Sequence, residues 1–230
     1  MFGRFAHTLT RSRLTRFEED RSTLAGLAPR MRHYIWADGR GALAEGPIDI
    51  DIGAGCFEPV EITIVFDEGY PRVPPRFFDR ARRWRPDDDR HLMDNHEFCL
   101  WLARVDTPKL DTSEQFGELV LRVIAFLRDQ FVFDDLGGRW PGRDWLHGGS
   151  AAYAQHALET LGVSSNESFR ALWPLVLGQR LHANASCPCG SGLPYTRCHR
   201  AEVNSLRWLA RLRKCERIPA AAEHQLRDAA

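Results

Sequence analysis

The sequence predicts an α+β fold: a helix first, an antiparallel meander next, and helices to the end. Three observations carry this. Apolar residues recur near helical spacing over 9–27 and again, on a broader face, over 113–131. Between these stretches lie three short strand-like segments separated by glycines. No internal repeat breaks the order.

The first helix is expected over 9–27, with Leu14, Phe17, Leu24 and Leu27 on one side and Pro29 as its stop. Strands follow at 31–36, 48–52 and 60–66. The third, Val60 to Phe66, alternates apolar and polar residues through Ile64, as a half-buried strand does. Gly39, Gly41, Gly46, Gly53 and Gly55 are read as turn residues. Tyr70-Pro-Arg-Val-Pro-Pro75 cannot sit in a central strand, because each proline removes a ladder donor; it is predicted to be a rigid connector. Phe77-Phe78 can form a short strand, and 79–98 reads as an irregular polar loop. The long helix over 113–131 presents Phe116, Leu119, Val120, Ile124, Leu127 and Phe131, with Ser113 as the expected cap and Glu114 and Glu118 in its early turns. A loop rich in Gly and Trp starts at Leu136. Helices are predicted at 150–161, 166–178 and 201–216, with the last dozen residues frayed.

The 230 residues, 43% of them apolar, suffice for one medium domain and a small appendage. No run approaches the eighteen or so apolar residues of a membrane span, and the N-terminus lacks the pattern of a secretory signal. A cytoplasmic protein is expected. The formal net charge is zero, which gives no global field toward nucleic acid or anionic lipid and argues against a nucleic-acid binder. Locally, residues 72–90 hold seven Arg against four Asp, read as a solvated loop or a docking patch for an acidic partner. Lysine is nearly absent, with only Lys109 and Lys214.

Six cysteines are present, and three of them, Cys187, Cys189 and Cys198, cluster beside His199. In a cytosolic chain this favours metal over disulfide. Cys187 and Cys189 are separated by one residue, Gly190-Ser-Gly192 permits the tight turn, and Cys198-His199 returns to complete four ligands. Zinc takes such a tetrahedral set, and four protein ligands leave no open position, so the site is read as structural. The pattern CxCxSGxxxxxCH resembles the SEC-C motif, which implies zinc and an interaction role and nothing about catalysis. Cys56, Cys99 and Cys215 stand apart; each is by default a small buried apolar group.

Cys99 is set apart by context, because it follows a polar loop and precedes the long helix. Taken together, an N-terminal helix, a meander, Tyr-Pro-x-x-Pro-Pro, a His-containing loop, Phe98-Cys99-Leu100 and a helix resemble the ubiquitin-conjugating enzymes and their divergent bacterial relatives. The stretch concerned is about 9–135. The resemblance implies a ubiquitin-conjugating fold over 1–165, followed by a helical connector at 166–182 and a small zinc module with terminal helix at 183–230. It also implies that Cys99 accepts the C-terminal acyl group of a small protein as a thioester, which an amine then attacks.

One departure matters. Where the family carries His-Pro-Asn, this chain has Asp89-Arg-His91. His91 can supply an oxyanion donor through a ring N–H, and Asn95 and His96 are alternative candidates closer to Cys99 in sequence. Asp134 and Asp135 match the region where the family keeps an acid that orients the amine. His147, flanked by Gly and Trp, is a further candidate.

Bacterial relatives occur in antiphage (CBASS-type) operons, where the resemblance implies that a cGAS-like nucleotidyltransferase is the carried protein; a ubiquitin-like modifier is the other setting. No Gly-rich phosphate loop is visible, so activation is expected from a separate enzyme or a pre-activated donor. The competing expectation is a non-catalytic protein-binding adaptor on the same fold, with the zinc tail as docking module. A cysteine hydrolase using Cys99 with His91 or His147 lacks any nucleophile-elbow signature.

Overall fold

The computed structural model describes residues 11–36, 41–142, 146, 149–213 and 215–229, with side-chain surroundings from residue 15 onward. The architecture is mixed α+β. Two compact units divide the chain, Met1–Asp144 and Trp145–Ala230.

In the first unit, α1 (Arg11–Leu27) leads to four antiparallel strands, β1 (Arg32–Ile35), β2 (Ala42–Gly53), β3 (Cys56–Phe66) and β4 (Arg76–Asp79), in the order β1-β2-β3-β4, and then to α2 (Ser113–Asp135). Residues 9 and 10 of the expected first helix lie outside the described residues. The period-2 pattern buries Ala42, Ala44, Ile48 and Ile50 of β2 with Val60, Ile62 and Ile64 of β3 on one face. Phe116, Leu119, Val120, Val123 and Leu127 of α2 join them in one core.

β2 starts six residues earlier than predicted, because Gly46 is not a turn residue. It pairs with Ile62 inside the ladder at φ 140°. A Cβ there would lie 3.0 Å from the Arg30 carbonyl oxygen and 3.1 Å from Met31 Cα, so glycine lets the chain leaving α1 cross close to the strand. Pro47, next to it, lies past the β1 ladder, whose first residue Arg32 pairs with Glu45, so that position of β2 is paired with β3 alone.

A buried acid ties three elements together. Asp20 of α1, fully buried, takes hydrogen bonds from Arg16 (2.6 Å), from the Ser113 hydroxyl at the start of α2 (2.7 Å) and from the Tyr70 hydroxyl. Burial, and then the Asp20 carboxylate, push the Tyr70 phenol well above its ordinary range. Phe66 meets Phe17 and Tyr70 edge-on with centroids 5.2 and 5.0 Å away. The cap of α2 is Thr112, not Ser113: Thr112 accepts from Gln115 N–H while Gln115 reaches back, a capping box, which frees the Ser113 hydroxyl for Asp20.

The second unit is helical: α3 (Gly149–Leu161), α4 (Asn166–Val176), α5 (Arg200–Leu206) and α6 (Ile218–Asp228), with short 3-10 turns at Tyr195–Arg197, Arg207–Arg211 and Cys215–Arg217. Here the structure departs from expectation. α3 packs against α6 and belongs to this unit, so the division falls at 144/145 and not after 165. The single helix expected over 201–216 breaks into α5 and two 3-10 turns. The residues expected to fray form α6, because Ile218 and Ala222 are buried in the helical core and Pro219 suits a first turn. No helix among the described residues is long and apolar enough to cross a membrane.

Candidate functional site

Two cysteine environments, one in each unit, are candidates. In the second unit, the segment between α4 and α5 folds as a knuckle. Cys187 N–H donates to Leu193 C=O (2.8 Å), and Gly190 and Gly192 take φ of 85° and 74°, conformations that a side chain would strain. This brings the ligand atoms of Cys187, Cys189, Cys198 and His199 within 4.8 Å of one another, a group that can hold a metal ion. Nδ1 of His199 faces the sulfurs, 3.4 Å from Cys187 and 3.1 Å from Cys198. Its Nε2 lies 2.9 Å from the Leu161 carbonyl oxygen at the end of α3, which fixes the ring with Nε2–H as donor and Nδ1 as ligand.

Further supports come from outside the knuckle. The Ser168 hydroxyl of α4 donates to the Cys189 carbonyl (3.1 Å), and Ser165 caps the same helix. Cys187 is itself part of the helical core. Burial pushes the Cys187 thiol up to about 12. At Cys189 burial acts the same way but is outweighed by hydrogen bonds from Ser191, Cys187 and Cys198, which bring the thiol down to about 6. A cation at the centre favours thiolate at all three sulfurs.

In the first unit, Cys99 is exposed. It ends a small hairpin in which Leu92 pairs with Phe98, and Glu97 pairs with Phe78 of β4. Cys99 N–H donates to His91 C=O (2.8 Å) and Phe98 N–H to Phe77 C=O (2.9 Å), so the cysteine is docked on the sheet through its backbone. His91 therefore lies opposite Cys99, in the left-handed conformation (φ 53°), with its ring edge-on to Trp140 at 4.8 Å. Asn95 and His96 occupy the turn at the other end of the hairpin. Asn95 binds Glu97 through both its amide oxygen and nitrogen. His96 Nδ1 lies 4.0 Å from the buried Asp79 carboxylate, whose other oxygen takes no hydrogen bond among the described residues.

The segment following Cys99 is held by residues the sequence did not single out. Arg122 of α2 donates to Leu100 C=O (2.8 Å) and to Asp106 (3.1 Å), and Asp106 in turn accepts from Leu102 N–H (2.5 Å). An arginine on the polar side of an amphipathic helix gives no sequence signal for such a contact. Asp134 is engaged by Arg90, and Asp135 is exposed at the end of α2. His147 lies outside the described residues. Of the arginine run, Arg76, Arg80, Arg83 and Arg90 are each paired with an acid. Cys56 lies exposed beyond the β2–β3 turn, and Cys215 packs half-buried on the helical core, outside the four-residue group.

Comparison with known families matches the SEC-C motif to residues 184–201, the knuckle and the start of α5. No curated protein and no solved structure matches the chain.

Proposed function

We propose that the chain is a conjugating enzyme of the ubiquitin-conjugating type, which carries the C-terminus of a partner protein as a thioester on Cys99, with a zinc-clipped helical tail. The observation that carries this is the exposed Cys99 thiol on a hairpin whose backbone is pinned to β4 and whose following segment is gripped by Arg122. A nucleophile needs both access and a fixed position.

The chemistry is two acyl transfers. The Cys99 thiolate attacks the donor's activated carbonyl, a C–S bond forms, and the donor's leaving group departs. An amine then attacks the thioester carbonyl; the C–S bond breaks, Cys99 leaves as thiolate and the amine proton passes to a base. His91, opposite Cys99 on the hairpin, is the oxyanion donor in this scheme, because Asn95 and His96 face Glu97 and Asp79 at the far end. The carried protein is a ubiquitin-like modifier or a cGAS-like nucleotidyltransferase, with activation supplied separately, and the setting is bacterial antiphage defence.

Zinc is the ion that three thiolates and one imidazole favour, and a complete protein ligand set makes it structural. Cys187, Cys189, Cys198 and His199 Nδ1 would hold it.

Intact mass spectrometry of the chain co-expressed with its genomic neighbours tests the acyl carrier. A thiol-labile adduct mapped to Cys99, absent in Cys99→Ala and converted to a thiol-stable oxyester in Cys99→Ser, is the expected result. No adduct under any pairing, with or without an activating enzyme, rejects it in favour of a binding adaptor.

A further inference from the structure

The zero net charge is a cancellation between two unlike units. Residues 1–144 hold 21 basic and 25 acidic residues, whereas residues 145–230 hold ten and six. The excess is concentrated around the metal centre: residues 179–217 contain eight basic residues and two acidic ones. Three thiolates and a neutral imidazole on a divalent ion contribute one negative charge there, so the segment remains strongly positive with metal bound.

The structure turns this composition into a surface. Val203, Leu206 and Leu209 go into the helical core, which leaves Arg200, Arg207 and Arg211 exposed between and after them. Arg197, just before the ligand Cys198, is exposed as well, as are Arg213 and Arg217. Arg197 and Arg200 flank the pair Cys198-His199 directly in the chain, which places them beside the metal centre, and Arg207 follows two turns on at the end of α5. In the first unit, Arg76, Arg80, Arg83 and Arg90 are each matched to an acid. These six have no side-chain hydrogen bond or ion pair among the described residues.

The arginine-bearing segment is also without an apolar anchor, Leu193 of the knuckle being exposed just before it. Among the described residues, no large apolar side chain is exposed between 197 and 217. Stable protein partners need a buried apolar or aromatic centre within the polar rim. A polyanion backbone needs only cations in series, and guanidinium groups suit phosphate oxygens.

We propose that the arginine face beside the metal centre binds the phosphodiester backbone of a nucleic acid, without reading bases. It goes beyond the conjugation chemistry and stands or falls independently of Cys99. Backbone-only binding sets the expected strength at about 1–100 µM near physiological salt, with strong salt dependence and little sequence preference.

The experiment is fluorescence anisotropy of the metal-loaded full chain with labelled 20-nucleotide single-stranded RNA, single-stranded DNA and duplex DNA, titrated between 50 and 200 mM salt. Binding to any of the three supports the proposal, and the tightest names the source. Each arginine removed should flatten the slope of log K against log salt by about 0.7–0.9. The triple variant Arg200→Gln/Arg207→Gln/Arg211→Gln should bind at least tenfold more weakly at 50 mM salt, with its metal content unchanged. The matching triple Lys variant should restore binding, and Arg72→Gln/Arg85→Gln in the first unit should leave it intact. Absence of binding to all three at 50 mM salt overturns the proposal. So does a triple Gln variant, metal-loaded, that binds like the parent chain. Displacement of the labelled strand by polyglutamate at equal charge concentration overturns it in favour of an acidic protein partner.

Discussion

The two units use cysteine in opposite ways. Cys99 is exposed, has its backbone N–H on the His91 carbonyl, and is not among the buried side chains that form the core of its unit. Cys187 is 3% exposed and is one of the core residues of the helical unit. The first unit has aromatic clusters and a four-stranded sheet to hold it; the second is shorter, and its Cys/His group is tied to α3 by the His199 ring on the Leu161 carbonyl, to α4 by Ser168 on the Cys189 carbonyl, and to α5 by His199 as its N-cap. The contrast is one of placement: one thiol is exposed outside its core, while the other three are in, or packed against, the core of the helical unit.

The largest expected effect follows from breaking that contrast on the metal side. Chelation of the full chain, or Cys187→Ser, should collapse hydrogen-exchange protection across α3 to α6 and leave the sheet unit protected. Metal binding in comparable small modules is worth about 10–16 kcal/mol of apparent folding energy, more than a helical unit of this size retains without it. Protection that survived in α3 and α4 after metal removal would show that the knuckle is an ornament on a self-sufficient bundle. Ser168→Ala should have a smaller effect of the same kind, weakening metal affinity by about tenfold or more, as outer partners of ligands do. Competition with a chromophoric chelator measures it.

The converse test acts on the first unit. Phe116 is fully buried where α2 meets Phe66 and Tyr70, and Phe116→Ala should cost about 3–5 kcal/mol there. Metal content should not change. Coordinated loss of metal in that variant would mean the units are not energetically separate.

Arg122→Met sharpens the comparison at Cys99. It leaves Leu100 C=O and the Asp106 carboxylate without a charged donor, at about 1 kcal/mol or less because the pair is largely exposed. The expected outcome is faster amide exchange over 100–106 and roughly a tenfold slower adduct on Cys99, with global stability little changed. An unchanged adduct rate alongside faster exchange would remove Arg122 from the positioning of the thiol.

How much of this could be read from the sequence depends on whether the signal was local. The four residues of the Cys/His group that can hold a metal fall within 187–199, so their spacing alone marked the group. α2 was legible because its apolar face is continuous, and the third strand because it alternates. What escaped was set by tertiary neighbours. Gly46 looked like a turn until the chain beyond α1 crossed it. The terminal residues looked frayed because α6 is Ala-rich, and their burial comes from α3, about seventy residues away in sequence. The break after α5 has no marker such as proline. Arg122 and Asp106 flank the Cys99 segment from positions that are ordinary in sequence.

The smallest expected effect is a pH dependence confined to the first unit. His33 in β1 is partly buried, with its Nδ1 lacking a hydrogen bond among the described residues. Burial, and then the nearby Arg21 charge, hold its pKa below the usual 6.5, although Glu18 acts the other way. A histidine whose folded pKa is depressed binds its proton more readily when unfolded. Stability is therefore independent of this group above about pH 6.5 and declines as pH falls from there through the folded value. The side chain keeps part of its contact with solvent, so the loss should stay below about 1 kcal/mol. His33→Gln removes the titration. Exchange at Tyr34 and Leu43, compared between parent and variant from pH 7.5 to 5.5, should diverge only below about 6.5. Metal release from the helical unit in acid has a different origin, protonation of thiolates, and must not follow the substitution. If it does, acid acts on both units through one process, and the separation between an apolar sheet unit and a metal-dependent helical unit fails.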